Sequence, residues 1–215
     1  MKKIIMAVPK GRILKELIPI MKKVGIEPEN AFFKDDSRKL MFNTNKKDLI
    51  LIRVRSFDVA TFVAFGAAQI GIAGDDVLNE FDYKEIYKVL DLGIGKCRLS
   101  IAQKKGGSDK NLHKNGHIMV ATKYKNTVTN FFANKGVRAE CVKLNGAIEL
   151  APKLGICSTI VDLVSTGRTL RENNLDESEV LFDITSKLIV NKISYKLIND
   201  KISKIIKEFA RVING

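Results

Sequence analysis

Short runs of β-branched and aliphatic residues alternate along this chain with longer amphipathic stretches, and that alternation leaves layered α/β architectures as the natural solution. Residues 4–8 read as a first strand. Residues 12–24 read as a helix, because Ile13, Leu14, Leu17, Ile18, Met21 and Val24 recur at spacings of three and four. Pro19 inside that pattern predicts a kink or an altered turn. Residues 39–44 and 49–54 read as neighbouring strands joined by Asn45-Lys46-Lys47, residues 57–67 as a helix, and residues 70–73 and 87–92 as strands. A second series starts near Cys97: strand 98–103, a glycine- and lysine-rich surface loop over 104–116, strand 117–122, helix 124–135, strand 138–144, helix 147–154 and strand 159–164. A strand over 187–191 and one long helix over 194–213 follow, and no repeat of fixed period is present. The expected organisation is two α/β lobes, 1–95 with 183–215 and 96–182. Ligands of such folds sit at the carboxyl ends of strands, here in a cleft between lobes.

Charge narrows the kind of ligand. The chain of 215 residues has 37 Lys and Arg against 24 Asp and Glu, a formal net charge of +13, which points to nucleic acid, an anionic membrane or a small polyanion. Its lysines are scattered, with no basic stripe interleaved with aromatics, so nucleic acid is disfavoured. The start, MKKIIMAVPKG, has too few apolar residues before Pro9 for a signal peptide. The uncharged stretch over 59–74 is too short for a membrane span, so a cytoplasmic protein is expected. Cys97, Cys141 and Cys157 are odd in number and lack CxxC spacing, which reads as buried free thiols.

The strongest local signal is the segment from Ile160 to Leu170. A buried strand containing Asp162 runs into the turn Ser165-Thr166-Gly167-Arg168-Thr169, and a helix starts directly after it. Free N–H groups and the dipole of that helix suit a phosphate, with the hydroxyls as extra donors. The plain alternative is a helix capped by Ser or Thr, with Arg168 facing solvent. Lys10-Gly11-Arg12 forms a second cationic tip between a strand and a helix, against the alternative that both cations are simply solvated. Arg38, Arg53 and Arg55 stand at strand ends, where a guanidinium fork fits a diphosphate. The segment from Gly93 to Arg98 lies where the chain crosses between lobes, and its plain reading is a hinge. His113 and His117 are four apart but lack a third ligand. Walker, Rossmann and serine-elbow motifs are all absent.

Taken in order, AVPKGR, DSRKLMF, the RxxDV starting at Arg55, GAAQIGIAGDDVL, LDLGIGKCRLSIA, KLNGAIELAPKLG and DLVSTGRTLREN resemble the catalytic chain of the ATP phosphoribosyltransferase family across residues 7–174. The resemblance implies a two-lobed fold like type II periplasmic binding proteins. It also implies the first reaction of histidine biosynthesis, in which N1 of ATP displaces pyrophosphate from C1 of phosphoribosyl pyrophosphate (PRPP) with inversion, magnesium (Mg2+) accompanying the phosphates. It further implies that the 165–169 turn holds the PRPP 5′-phosphate, that Asp162 and Glu149 face the ribose, and that Arg38 and Arg55 meet the departing pyrophosphate. Lys10, Gly11, Arg12, Asp76 and Arg98 fall to the ATP side. Asp75 stands where many relatives have lysine, so a phosphate contact is not expected from it. A chain of this length resembles the family's short form, which works as a homodimer within a hetero-oligomer containing a regulatory subunit related to histidyl-tRNA synthetase. The alternative on the same fold is a cytoplasmic binding module for a phosphorylated small molecule.

Overall fold

The computed structural model describes residues 3–34, 37–106 and 116–215. The chain divides into two compact units, Met1–Gly95 with Thr185–Gly215, and Lys96–Ile184.

In the first unit, strands β1 (Ile4–Pro9), β2 (Met41–Asn43), β3 (Leu49–Val54), β4 (Ile70–Gly74), β5 (Ile86–Asp91) and β11 (Ser186–Asn191) form one sheet of order β2-β3-β1-β4-β11-β5. β3, β1 and β4 run parallel, and β2 and β11 run antiparallel to their neighbours. The central strands are apolar on both faces because helices cover both. Ile4, Met6 and Val8 face α1 (Arg12–Lys23) and α8 (Asn199–Asn214), sharing a core with Leu17, Met21, Ile202 and Phe209. Ala7 and Ile52 face the other way, packing with Val59, Val63 and Val77 of α2 (Ser56–Ala64) and α3 (Asp75–Phe81).

In the second unit, β6 (Cys97–Lys104), β7 (His117–Thr122), β8 (Arg138–Lys143), β9 (Thr159–Val164) and β10 (Leu175–Ile184) lie in the order β10-β6-β9-β7-β8. β7 is parallel to β8 and β9, while β6 is antiparallel to β9 and β10. α4 (Lys125–Asn134) packs on β8. α5 (Leu150–Lys153) and α6 (Arg168–Glu172) contribute Ala151 and Leu170 to a core with Ala121 and Ile160.

The helix expected over 12–24 is α1, with Pro19 inside it and Leu14, Leu17 and Met21 buried. Other local elements differ from expectation. The long terminal helix is two helices, α7 (Lys192–Leu197) and α8, because Ile198 between them sits at φ −131° and ψ 42°. The helix expected over 57–67 stops at Ala64, with Gly66 at φ +71°. The helix expected over 147–154 shrinks to α5, since Ala147 takes φ +50° and cannot be a helical residue. Strand 39–44 shortens to Met41–Asn43, and most of the loop expected over 104–116 lies outside the described residues. α3 and β10 were not foreseen. Of the three cysteines Cys157 is buried, and burial pushes its thiol pKa up; Cys97 and Cys141 are half-buried, and none of the three is in a disulfide.

Asn191 ties the first unit together. Buried, it donates from Nδ2 to the carbonyls of Val63 (2.9 Å) and Ala64 (3.1 Å), and its Oδ1 accepts from Ser194 N (2.9 Å) to cap α7. Asn191→Ala is expected to lower unfolding free energy by about 2 kcal/mol, as it removes two buried side-chain hydrogen bonds, leaving the Val63 carbonyl only its bond from Gly66 N, and removes a cap. Urea titration followed by circular dichroism measures it.

Candidate active site

In each unit the parallel strands bring the sequence-singled residues to one edge. In the second unit the carboxyl ends of β7, β8 and β9 lie together, so the turn after β9 (165–169) and the segment after β8 that ends at Glu149 share that edge. Arg98, at the start of β6, joins them by register opposite Val164.

The 165–169 turn departs from a plainly capped helix. The capping position is Gly167, at φ +69° and ψ 8°, and no side chain caps α6 among the described residues. Thr166 Oγ1 accepts only a long bond from Arg168 N (3.4 Å), while Arg171 Nη1 braces the turn by donating to Thr166 O (3.1 Å). Ser165, Thr166 and Thr169 are exposed, and Asp162 and Glu149 are half-buried. Arg168 is 80% exposed and pairs with Glu172 one helical turn on (Nε to Oε1, 2.7 Å). That pair accords with the solvent-facing alternative for Arg168.

Arg98 is committed differently from the sequence expectation. Its Nε and Nη2 make a forked pair with Glu177 Oε1 and Oε2, both 2.5 Å, its Nη1 donates to Ser165 O (3.3 Å), and Ser100 Oγ donates to the same carboxylate (2.7 Å). Through those hydrogen bonds Glu177 titrates below its ordinary 4.5 and Arg98 above its ordinary value. Glu177 lies on β10, in an acid-rich segment that did not read as a strand. Arg98 thereby braces the 165–169 turn through the Ser165 carbonyl.

The sign of the pH effect follows from the lowered Glu177 pKa. Its stabilisation is complete above the ordinary carboxylate value of 4.5 and is lost as pH falls through the lower folded value. Glu177→Gln is therefore expected to melt roughly 3 °C below the parent chain at pH 7, after discounting for solvent screening of a partly exposed pair. The gap should narrow as pH falls below the ordinary carboxylate value of 4.5.

In the first unit the carboxyl ends of β1, β3 and β4 coincide, with the start of β2 beside them. This edge gathers Lys10, Gly11 and Arg12 after β1, Arg55 after β3, Asp75 and Asp76 after β4, and Arg38 just before β2. Lys10 is exposed, and its N–H holds Val54 O (2.9 Å). Gly11 caps α1 at φ +87°. Arg12 Nη2 donates to Gly95 O (3.2 Å), and Glu16 Oε2 accepts from Gly95 N (2.8 Å). Gly95 is thus held through both its N–H and its carbonyl. Asp76 is buried. Arg38 and Arg55 are exposed, and neither guanidinium has a hydrogen-bond or ion-pair partner among the described residues.

Asp75 belongs to a network that composition did not reveal. It accepts from Thr185 N (3.1 Å) and pairs with Lys187 Nζ (3.2 Å), which also reaches Asp91 (2.6 Å). Burial works against both charges, yet hydrogen bonds to Asp91 and Asp75 hold Lys187 above its ordinary pKa and those from Lys187, Gly93 N and Thr185 hold Asp91 below its own. A carboxylate at position 75 fastens β11 where the chain returns to the first unit. Arg53, listed by sequence with the strand-end arginines, is buried.

No group of three or more His, Cys, Asp or Glu that could hold a metal occurs among the described residues, and His117 pairs instead with Glu140 (3.4 Å). His113 lies outside the described residues. No helix among the described residues is long and apolar enough to cross a membrane.

Two α/β units, one assembled from both ends of the chain, define the class of type II periplasmic-binding-protein-like folds. The periplasmic aliphatic sulphonate binding protein SsuA from Escherichia coli shares that fold, at a TM-score of 0.61 and 10% identity over 99% of this chain and 72% of that one. A chain of the ATP phosphoribosyl transferase (HisG:HisZ) complex from Thermotoga maritima is far nearer, at TM-score 0.83 and 31% identity over 98% of both chains. A family model described as ATP phosphoribosyltransferase matches residues 55–211. The ATP phosphoribosyltransferase of Sphingopyxis alaskensis is 54% identical over 98% of this chain and 94% of its own length. That of Bacillus licheniformis is 42% identical over 100% and 97%. The chain belongs to the ATP phosphoribosyltransferase family.

Proposed function

We propose that this chain transfers the phosphoribosyl group of PRPP to N1 of ATP, releasing pyrophosphate and opening histidine biosynthesis. The observation that supports this most is the match, over nearly its whole length, to enzymes that bear the name of this transfer. N1 attacks C1 of the ribose from the face opposite the leaving group, the C1–oxygen bond breaks, its electron pair leaves on pyrophosphate, and C1 is inverted. No side-chain nucleophile takes part. Rate comes from aligning two bound nucleotides and from stabilising the charge that develops on pyrophosphate.

Roles follow from placement. The 165–169 turn presents Ser165, Thr166, Gly167 and Thr169 to the 5′-phosphate, with Arg168 adding field at its rim. Asp162 and Glu149, at the same edge, accept from the ribose hydroxyls. Arg38 and Arg55, whose forks have no partner among the described residues, take the leaving pyrophosphate. Lys10, Gly11 and Arg12 belong to ATP. Asp76 and Arg98 support those sites from within, since Asp76 is buried and Arg98 is paired to Glu177. The donor set fits a magnesium ion carried by PRPP's own oxygens, with Asp162 and Glu149 as the nearby carboxylates, because no three-ligand cage exists among the described residues. When bound, that ion neutralises phosphate charge. The free thiols suit the reducing cytoplasm.

The Thermotoga maritima neighbour is described as a two-component complex. By that likeness we assign to this chain a homodimer within a hetero-oligomer, with a regulatory subunit resembling histidyl-tRNA synthetase as partner. Nucleic acid and membrane have no part in this reading.

Mixing the purified chain with ATP, PRPP and magnesium should release pyrophosphate and give an adenine product with altered ultraviolet absorbance. Saturable binding of PRPP with neither product would replace the enzyme by a binding module. Histidine should inhibit only when the partner subunit is present, and inhibition of the isolated chain would count against the partner assignment.

A further inference from the structure

We propose that Arg53, a residue of the sheet interior, is the positioning residue that sets Arg38 for the leaving group. This rests on the reading of Arg38 given above. Arg53 is 5% exposed, yet the described residues offer its guanidinium no carboxylate. Nη1 donates to Phe32 O (2.7 Å) and Nη2 to Lys34 O (3.0 Å), while Nε is buried without a partner. The group lies over two rings, 5.9 Å from the centroid of Phe32 and 5.4 Å from that of Phe42, which are themselves packed edge to face.

A buried, uncompensated guanidinium is a costly way to fill space, so its value lies in what the fork holds. Here it holds backbone on both sides of Arg38. The side chain grips the carbonyls of residues 32 and 34 on the near side. On the far side the backbone N of the same residue donates to Leu40 O (3.1 Å). One residue of β3 therefore holds the Lys34 and Leu40 carbonyls, which flank Arg38 in the chain, and the pair between Lys39 and the half-buried Glu29 adds to the hold on the Leu40 side. Arg38 has no partner of its own among the described residues, so its placement depends on where these anchors put its backbone.

The test uses the full chain and three variants: R53K, which keeps charge but not the fork, F42L, which withdraws one ring from the guanidinium, and R38A. If Arg53 positions Arg38, R53K lowers kcat about tenfold in the parent background, with KM for ATP unchanged. It has no more than a roughly twofold effect in the R38A background. Amide hydrogen exchange over residues 37–40 becomes about tenfold faster in R53K, and F42L shifts kcat and exchange the same way by less. An equal fall in both backgrounds, or unchanged exchange over 37–40, overturns the proposal. Failure of both R53K and F42L to fold also overturns it, since Arg53 would then serve the core rather than the segment. If R38A alone turns over normally, the leaving-group reading of Arg38 fails, and the exchange data still decide whether Arg53 holds the segment.

Discussion

Replacing Arg55 by alanine should lower turnover about 100-fold, close to 3 kcal/mol in the barrier, which is the usual loss when one preorganised donor to a developing anion is removed. The same change should leave the melting temperature within about 1 °C of the parent, because an exposed side chain with no partner adds little to the fold. Its backbone role survives the substitution: the Arg55 carbonyl accepts from Asp58 N (2.9 Å) at the start of α2, and alanine supplies the same group. KM for ATP should stay put, since the lost contact forms with charge that appears as the C1–oxygen bond breaks. Steady-state kinetics with PRPP varied, beside a thermal melt, separate the two effects. Parent-like turnover would remove Arg55 from the leaving-group role. A large drop in melting temperature would mean that it supports the fold instead.

Gly167→Val should raise KM for PRPP about 100-fold, because two costs fall on one turn. At φ +69° a β-branched residue is strained by roughly 1–2 kcal/mol. A Cβ there would also come within 3.2 Å of Arg171 Nη1, the group that braces the Thr166 carbonyl. Relief of that strain should move the first-turn N–H groups of α6 that we propose for the 5′-phosphate. The flexible end of Arg171 can give way, so the fold itself should lose only about 5 °C in melting temperature. Isothermal titration with PRPP and, separately, with ATP distinguishes a local lesion from a general one. Equal weakening toward both nucleotides would place the 165–169 turn outside the PRPP site.

Hydrophobic periodicity marks the strand ends beside which Lys10, Arg38, Arg55 and the 165–169 turn stand, and parallel strands collect their carboxyl ends on one edge. What stayed hidden depended on partners distant in sequence. Glu177 is 79 residues from Arg98, and it sits in a strand whose acidic residues masked its period. Asp75 read as a lost lysine, and only the return of Lys187 beside it shows what a carboxylate does there. Arg53 and Arg55 look alike as neighbouring strand-end arginines. Two positions apart, they would share one face of a continuing strand; because β3 ends at Val54, Arg53 lies against the Phe32–Phe42 core while Arg55, just past the end of β3, is exposed. Helix ends failed where a single backbone angle decides them, as at Ala147 and Ile198.

The position of β11 has a consequence for synthesis on the ribosome. It lies between β4 and β5, and β5 has no other neighbour in the sheet. Until residues 186–191 have emerged, the first unit displays an open edge on β4 and an unpaired β5, surfaces that invite mispairing with other nascent chains. Every strand of the inserted unit, from β6 to β10, has by then been made. The domain encoded in the middle of the gene can therefore close before the one encoded first. The interval during which β4 stays bare is set by the time needed to translate the whole insertion.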